Sequence, residues 1–128
     1  MSRTARSSLA FAVYLFALAL MLVLAPKLFL PLFGLSVDPL WTRITGILVG
    51  YLGYYYYRAA RAEAVQFMAW TVPARATVLP LLSGLVLAGL AKPTLILFGA
   101  GDALGAWWTW RCLRQDAAAK AASTDSVR

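Results

Sequence analysis

The stretch LAFAVYLFALALMLVLA, residues 9–25, decides the fold, because no charged side chain interrupts it. Its length is close to the ~20 apolar residues that a helix needs to cross the ~30 Å hydrocarbon core of a bilayer. It is longer than the apolar part of a secretory signal peptide, roughly 7–15 residues, and Pro26 directly after Ala25 is a poor site for cleavage. We therefore predict a transmembrane helix at about residues 7–25 rather than a removable leader.

The composition of the chain points to the same class of protein. Hydrophobic residues make up 62% of its 128 residues and charged residues 13%, whereas soluble domains carry about 45–50% and about 25%. The net charge of +7 could suggest a nucleic-acid partner. The basic residues lie between apolar stretches rather than in a stripe, so we expect no nucleic-acid binding.

Three later apolar segments predict three more helices, which gives an all-α fold. It is a four-transmembrane-helix bundle in a single domain, residues 1–114. The segments are residues 39–60, 73–91 and 93–114. The second helix has the clearest start, because Asp38 can cap it and Pro39 suits its first position. Pro73 opens the third helix, and Pro80 is expected to kink it.

The segment between the first two helices, residues 26–37, is apolar but broken by Pro26, Pro31 and Gly34. A first helix extended through it would be about 40 Å long, well beyond the thickness of the hydrocarbon core. We therefore expect the segment to lie flat in the outer interface, with Lys27 reaching the headgroups.

Arginine and lysine residues are divided unequally between the two ends of the predicted bundle. One end holds Arg3, Arg6, Arg58, Arg61, Arg75, Arg111, Arg114, Lys120 and Arg128. The other holds Lys27, Arg43 and Lys92. The positive-inside rule places the richer end, and with it both termini, in the cytoplasm, so we expect a multi-pass protein of the cell membrane. Residues 115–128 are predicted to be a disordered cytoplasmic tail.

Small residues predict where the helices touch, since lipid supplies no hydrophobic drive between them. The glycines assigned to helix packing are Gly46, Gly50, Gly53, Gly84, Gly101 and Gly105. We favour contacts within one chain over homodimerisation, because each helix already has partners in the bundle.

Asp102 is predicted to lie near the bilayer midplane, ~14 Å from each end of the fourth helix. A charge there costs about 2.5–3.5 kcal/mol, so the carboxyl should face the bundle and be paired or protonated. The candidate partners are Arg75 and Arg43, near opposite ends of their helices, and the hydroxyls of Tyr51 and Tyr54. A start of the third helix before Pro73 would bring Arg75 deeper and favour an ion pair with Asp102.

These polar residues allow more than one interpretation. Asp102 is either a structural clamp or part of a proton or substrate site. Tyr51 and Tyr54 are either interfacial anchors, part of a hydroxyl-lined cavity, or a surface on which a ring-shaped ligand such as a quinone stacks.

Residues that usually perform chemistry are missing from the sequence. There is no histidine and a single cysteine, Cys112, so we expect no metal, no haem and no other cofactor. No phosphate-binding loop, nucleophile motif or pair of intramembrane carboxylates is present. We therefore expect a protein that is not an enzyme.

The chain resembles small bacterial four-helix membrane proteins of the BphX-like and DoxX-like families over about residues 9–114. The resemblance rests on Ala25-Pro26-Lys27, Phe33-Gly34-Leu35, Trp41-Thr42-Arg43, Gly46, Tyr57-Arg58-Ala59-Ala60-Arg61, Arg75, Phe98-Gly99, Asp102, Gly105 and Trp108-Thr109. It implies membrane residence and four helices, not a reaction. DoxX-type proteins have been linked to quinone-coupled oxidation complexes, but this sequence has no redox ligand of its own.

The function expected from the sequence is that of an accessory membrane protein, or one that binds lipids or a partner. Its partners would be membrane lipids, and a larger membrane complex or further copies of the chain. The alternative is a small transporter or proton-linked permease that uses Asp102.

Overall fold

The computed structural model describes residues 1–36 and 38–128, and this part of the chain is helical without a strand. The helices are α1 (Arg3–Leu24), α2 (Pro26–Leu32), α3 (Pro39–Arg61), α4 (Val65–Ala76), α5 (Val78–Leu87) and α6 (Ile96–Asp125). A 3₁₀ turn, Pro93–Leu95, leads into α6. The predicted all-α class is confirmed.

The first helix begins a turn earlier than the predicted residue 7, because its N-terminus is well capped. The Ser2 hydroxyl accepts a hydrogen bond of 3.0 Å from the Ala5 amide. Two carboxylates accept the amides of Ser2 and Thr4: Glu63, in the turn after α3, and Asp116 of α6. These contacts satisfy N–H groups that a helix start otherwise leaves unpaired.

The predicted interfacial segment contains the short helix α2, which ends at a glycine turn. Gly34 has φ +65°, and the amides of Gly34 and Leu35 bond the carbonyls of Pro31 and Leu30. This is the Schellman arrangement, which requires the left-handed conformation that glycine adopts freely. The last residue of the predicted segment, Val37, lies outside the described residues.

The third predicted helix requires a correction at both ends. It is the pair α4 and α5, which starts at Val65 rather than Pro73 and ends at Leu87 rather than Ala91. Burial explains the early start, because Met68 is fully enclosed against α1 and α3. Pro73 therefore lies inside α4. The helix breaks at Thr77, between α4 and α5, where Pro80 has no N–H to bond the Ala76 carbonyl one turn earlier.

The early end of α5 also follows from a Schellman turn. Gly89 has φ +74°, and the amides of Gly89 and Leu90 bond the carbonyls of Val86 and Leu85.

The C-terminal tail requires the second correction. Residues 115–125 continue α6 as a helix instead of being disordered. Five alanines between residues 117 and 122 favour helix. Asp116 and Gln115 also bond to the start of α1, which holds the first part of the tail against the bundle.

The helices pack with α1 at the centre of the bundle. It contacts α3 most extensively and also packs on α6 and α4. Beyond its connection to α4, α5 packs on α6 and on the 3₁₀ turn Pro93–Leu95. The main apolar cluster joins Phe11, Ala12 and Leu15 of α1 to Tyr56 of α3.

Glycines explain how closely some of these helices approach. A Cβ at Gly46 would lie 2.9 Å from the Leu22 Cβ, and one at Gly53 would lie 3.2 Å from the Leu15 Cβ. The glycines of α3 therefore face α1. Gly84 behaves differently from its predicted packing role, because a Cβ there would meet nothing within 4 Å. The crossing of α5 and α6 depends instead on Gly99, which was not among the glycines predicted to pack helices.

Two helical stretches have the length and apolar composition needed to cross a membrane, Arg3–Leu24 and Val65–Leu87. In α3 and α6, tyrosines, tryptophans and Asp102 lower the hydropathy. Both of these helices nevertheless expose large apolar side chains, among them Leu48 in α3 and Leu104 in α6.

Candidate functional site

Arg75 is the most enclosed charged residue that the structure describes. Its side chain is only 4% exposed, although it carries a full positive charge. The guanidinium carbon lies 3.5 Å from the ring centroid of Phe11 on α1 and 5.7 Å from that of Tyr56 on α3. Such contacts attract a cation to the ring face, by up to about 2 kcal/mol where water is excluded. The aromatic rings therefore stabilise the charge in place of water.

Hydrogen bonding satisfies only part of the guanidinium. Nη1 donates to the Thr109 hydroxyl on α6 at 3.3 Å. Nε and Nη2 are buried and have no hydrogen-bond partner among the described residues. Arginine has five N–H donors in a rigid fork, and a buried donor without a partner costs about 1–3 kcal/mol or more when charged. The N–H groups of Nε and Nη2 can therefore still donate hydrogen bonds to an acceptor.

A chain of hydrogen-bonded hydroxyl groups leads from Nη1 of Arg75 to the start of α1. The Thr109 and Ser7 hydroxyls share a hydrogen bond of 3.2 Å, and Ser7 also donates to the Thr4 carbonyl at 2.8 Å. All three side chains are buried. This chain of contacts fixes α4, α6 and α1 relative to one another around the guanidinium.

Gly105 gives the guanidinium its space on α6. A Cβ at this position would overlap Nη2 of Arg75 and would lie 3.1 Å from its Cζ. The predicted packing role of Gly105 thus concerns a charged side chain rather than a second helix backbone.

A cleft of about 240 Å³ opens beside this arrangement. Its walls include Ser7, Phe11 and Tyr14 from α1, Arg75 from α4, and Gly105 and Trp108 from α6. The cleft is mostly apolar, so Arg75 is its dominant electrostatic feature.

The structure separates the predicted site residues. Asp102 is half-buried near Arg75 and Tyr14, close enough for direct electrostatic interaction. Over residues 1–36 and 38–128, however, no ion pair within 4 Å joins it to an arginine; the one such pair links the Met1 amino group to Glu63. The expected contact between Arg75 and Asp102 is therefore replaced by the aromatic and hydroxyl contacts of Arg75.

The other predicted partners of Asp102 lie elsewhere. Arg43 donates from Nε to the Val23 carbonyl at 3.1 Å, near the C-terminal end of α1. Cations suit this position because helix carbonyls there carry partial negative charge. Tyr51 and Tyr54 are exposed and line a separate apolar groove between α1 and α3.

Three residues of α1 belong to the site although the sequence analysis did not name them. Ser7, Phe11 and Tyr14 follow the i, i+4, i+7 spacing of one helix face. The signal was present as two polar side chains on a single face of an apolar span. This pattern did not indicate a site, because polar side chains on one face of a helix are also common where helices simply pack together.

Two carboxylates hold the N-terminus of α1 and so set the position of this face. Glu63 accepts the Ser2 amide at 2.8 Å and its hydroxyl at 2.6 Å. These hydrogen bonds hold the pKa of Glu63 below its usual value. Glu63 adopts φ 51°, an uncommon conformation for this residue, and its contacts to Ser2 offset that strain.

Asp116 makes the corresponding contacts two residues further along α1. It accepts the Thr4 amide at 2.9 Å and the Thr4 hydroxyl at 2.7 Å. Desolvation raises the pKa of Asp116, but the hydrogen bonds from Thr4 together with the backbone and charge of Arg3 outweigh it, so the pKa falls below its usual value. Negative charge at a helix N-terminus also complements the helix dipole.

No protein family, curated protein or solved structure matches this chain. In the part of the chain that the structure describes, no group of three His, Cys, Asp or Glu side chains is placed to hold a metal ion.

Proposed function

We propose that this chain is an integral membrane protein that binds a ligand or partner inside the bilayer and does not catalyse a reaction. Its four spans would be α1, α3, the pair α4 and α5, and α6, with both termini in the cytoplasm. The helix α2 would lie in the outer interface. The resemblance to the BphX-like and DoxX-like families is compatible with this topology and remains a proposal.

The surface of the bundle supports a membrane location. Large apolar side chains are exposed on every proposed span, for example Leu20, Leu48, Leu81 and Leu104. Soluble monomers seldom expose continuous apolar surface on this scale. In a bilayer, lipid tails would cover these side chains, so that they would not be exposed to water.

The distribution of cations supports the orientation. Arg111 and Arg114 lie over the rings of Trp107 and Trp110, at 5.1 and 4.9 Å from the ring centroids. Pairs of tryptophan and arginine are typical of the membrane–water interface. Lys92 lies at the opposite end, beside Gly34.

The observation that carries a binding function is the enclosed, partly unsatisfied guanidinium of Arg75. A charged residue within a span is costly and usually marks a functional site. Packing alone would be served better by an apolar side chain, since replacing buried charges by apolar residues is often neutral or stabilising. The side chains in contact with Arg75 are aromatic, small or hydroxyl-bearing, and the nearby carboxyl of Asp102 makes no ion pair with it. We therefore favour binding over catalysis.

A transporter is the second candidate, and the position of Asp102 favours it. This carboxyl lies half-buried near Arg75 without contacting it. A proton or substrate could therefore bind between two groups that the bundle keeps apart.

Affinity purification of the tagged protein from native membranes in mild detergent would test the proposal. We expect the protein in the membrane fraction, together with a stoichiometric small molecule or protein partner. Uptake that depends on Asp102 in proteoliposomes would instead support the transporter. Recovery of the chain from the soluble fraction would contradict both.

A further inference from the structure

Two cavities lie along the seam between α1 and α6, and one of them is the cleft beside Arg75. A second cavity of about 350 Å³ adjoins it, and Tyr14 lines both. The walls of this second cavity include Leu18 and Met21 of α1, Phe29 and Phe33 at α2, and Phe98 of α6. Charged side chains are absent from the residues that line it. We refer to the two cavities, which meet at Tyr14 and have Arg75 at one end, as the α1–α6 groove.

The length of the groove follows from helix geometry. Ser7 and Met21 mark its two ends on α1, and they are ~21 Å apart along the helix at 1.5 Å per residue. A narrow groove of this length between two helices matches one extended alkyl chain.

The free edge of Arg75 specifies what should bind at the charged end. Nε and Nη2 lie on the same edge of the guanidinium and donate in parallel, which is the arrangement that grips two oxygens of a carboxylate or phosphate. Both atoms are buried without a partner. The opposite edge is already used by Thr109, which holds the guanidinium in place.

We infer that the α1–α6 groove binds a single-chain anionic amphiphile. Its carboxylate or phosphate accepts from Nε and Nη2 of Arg75, and its alkyl chain passes Tyr14 and lies against Phe98. This inference rests on the proposed membrane location and names the ligand class for the binding function.

Asp102 sets the strength of this interaction. Its carboxyl is the nearby negative charge that competes with a ligand for Arg75. Neutralising Asp102 should therefore raise the affinity for an anionic ligand. If Asp102 were only a structural clamp, the same change would lower the stability of the protein and would not raise this affinity.

The test uses the full chain in nanodiscs of phosphatidylcholine, with binding measured by titration against dodecanoate and dodecyl phosphate. Dodecanol is the neutral control for the head, and acetate and inorganic phosphate are the controls for the chain. We expect both anionic amphiphiles to bind, dodecanol to bind at least 10-fold more weakly, and the two small anions to show no binding. Equal binding of dodecanol, or of inorganic phosphate, would overturn the inference.

Variants then locate the site. Arg75→Gln should weaken binding of dodecyl phosphate by about 10- to 100-fold, as expected for the loss of charge-assisted hydrogen bonds. Arg75→Lys keeps the positive charge but lacks the paired N–H donors of the guanidinium, so its affinity should lie between those of Arg75→Gln and the wild type. Asp102→Asn should strengthen binding. Arg43→Gln, which changes an arginine outside the groove, is the matched control and should leave binding unchanged.

A further variant tests the apolar part of the groove without touching Arg75. Ala17 lies on the exposed wall of the second cavity, so Ala17→Trp should obstruct the chain and reduce the affinity. Unchanged binding in both Arg75→Gln and Ala17→Trp would overturn the inference. If these probes fail while the protein still retains a partner from native membranes, the ligand class is wrong and the proposed function stands. If the chain is soluble, the proposed function fails with it.

Discussion

The backbone of Gly105 and the guanidinium of Arg75 occupy adjoining space, so that a single methyl group at residue 105 would overlap Nη2. A charged side chain enclosed by a glycine on one side and by the Phe11 ring on the other has little freedom to move. This contact joins α4 to α6 and α1. It also places Arg75 at the wall of the cleft, which Gly105 lines as well.

Gly105→Ala should displace Arg75 and destabilise the protein by about 1–3 kcal/mol, the usual cost of overpacking. Thermal unfolding in detergent would measure the effect. The double variant Gly105→Ala/Arg75→Gln should lose less than the sum of the two single changes, because the shorter side chain relieves the overlap. Gly84→Ala is the control and should be neutral or stabilising, since nothing lies within 4 Å of a Cβ there. Full additivity would contradict the contact.

Two glycines of α6 should respond differently to the same substitution. A Cβ at Gly99 would lie 2.8 Å from the Leu79 Cα, a backbone atom that cannot rotate away. Gly99→Ala should therefore separate α5 from α6 and cost about 1–3 kcal/mol. A Cβ at Gly101 would meet only the Tyr14 hydroxyl at 3.9 Å, so Gly101→Ala should be tolerated. Equal unfolding temperatures of the two variants would count against this helix crossing.

Acid should loosen the start of α1. The pKa values of Glu63 and Asp116 are lowered in the folded state by bonds from Ser2 and Thr4. A carboxylate with a lowered pKa contributes stability that is present above its unfolded value, about 4.3 for Glu and 3.9 for Asp. That stability is lost as the pH falls through the lower folded values.

Hydrogen exchange of the amides at Arg3–Ser8 would measure this loosening. Protection should fall below about pH 4 in the wild type. The variant Glu63→Gln/Asp116→Asn should show low protection at neutral pH and little further change on acidification. Asp125→Asn, at the far end of α6, is the control. A pH dependence that survives the double variant would show that other groups cause it.

The proposed topology can be tested by cysteine labelling. In a Cys112→Ser background, a single cysteine would replace Ser36 or Ser126, both of which are exposed. A membrane-impermeant maleimide added to intact cells should label Ser36→Cys only, and Ser126→Cys should react after permeabilisation. Labelling of both from outside would exclude four spans with cytoplasmic termini.

Local sequence patterns correctly predicted that the protein is all-α, and they predicted the cap at the start of α3. Asp38 does cap α3, bonding the Leu40 amide at 2.7 Å, because a cap involves neighbours in sequence. The start of the third helix was predicted at Pro73 because proline favours a first turn. Burial of Met68 against α1 and α3 outweighs that preference, and this is a tertiary effect that local sequence does not encode.

The candidate site was predictable only in part for the same reason. The predicted depth of Asp102 in the membrane identified it as a residue that needs a partner, and Arg75 was one of the candidate partners. Their actual environment depends on which helix faces meet, and the sequence offered no direct signal that Phe11 would supply the contact to Arg75. Opposite charge made an ion pair the simplest expectation. The structure uses an aromatic ring and the Thr109 hydroxyl instead.

Native mass spectrometry of the intact protein, extracted gently from its own membranes, tests the central claim most directly. Wild type and Arg75→Gln would be compared side by side under identical conditions. We predict that the wild type carries an added mass which fragments to a single-chain carboxylate or phosphate, and that Arg75→Gln does not. The same bound species at the same occupancy in both proteins, or a wild type without any bound amphiphile, would contradict the account.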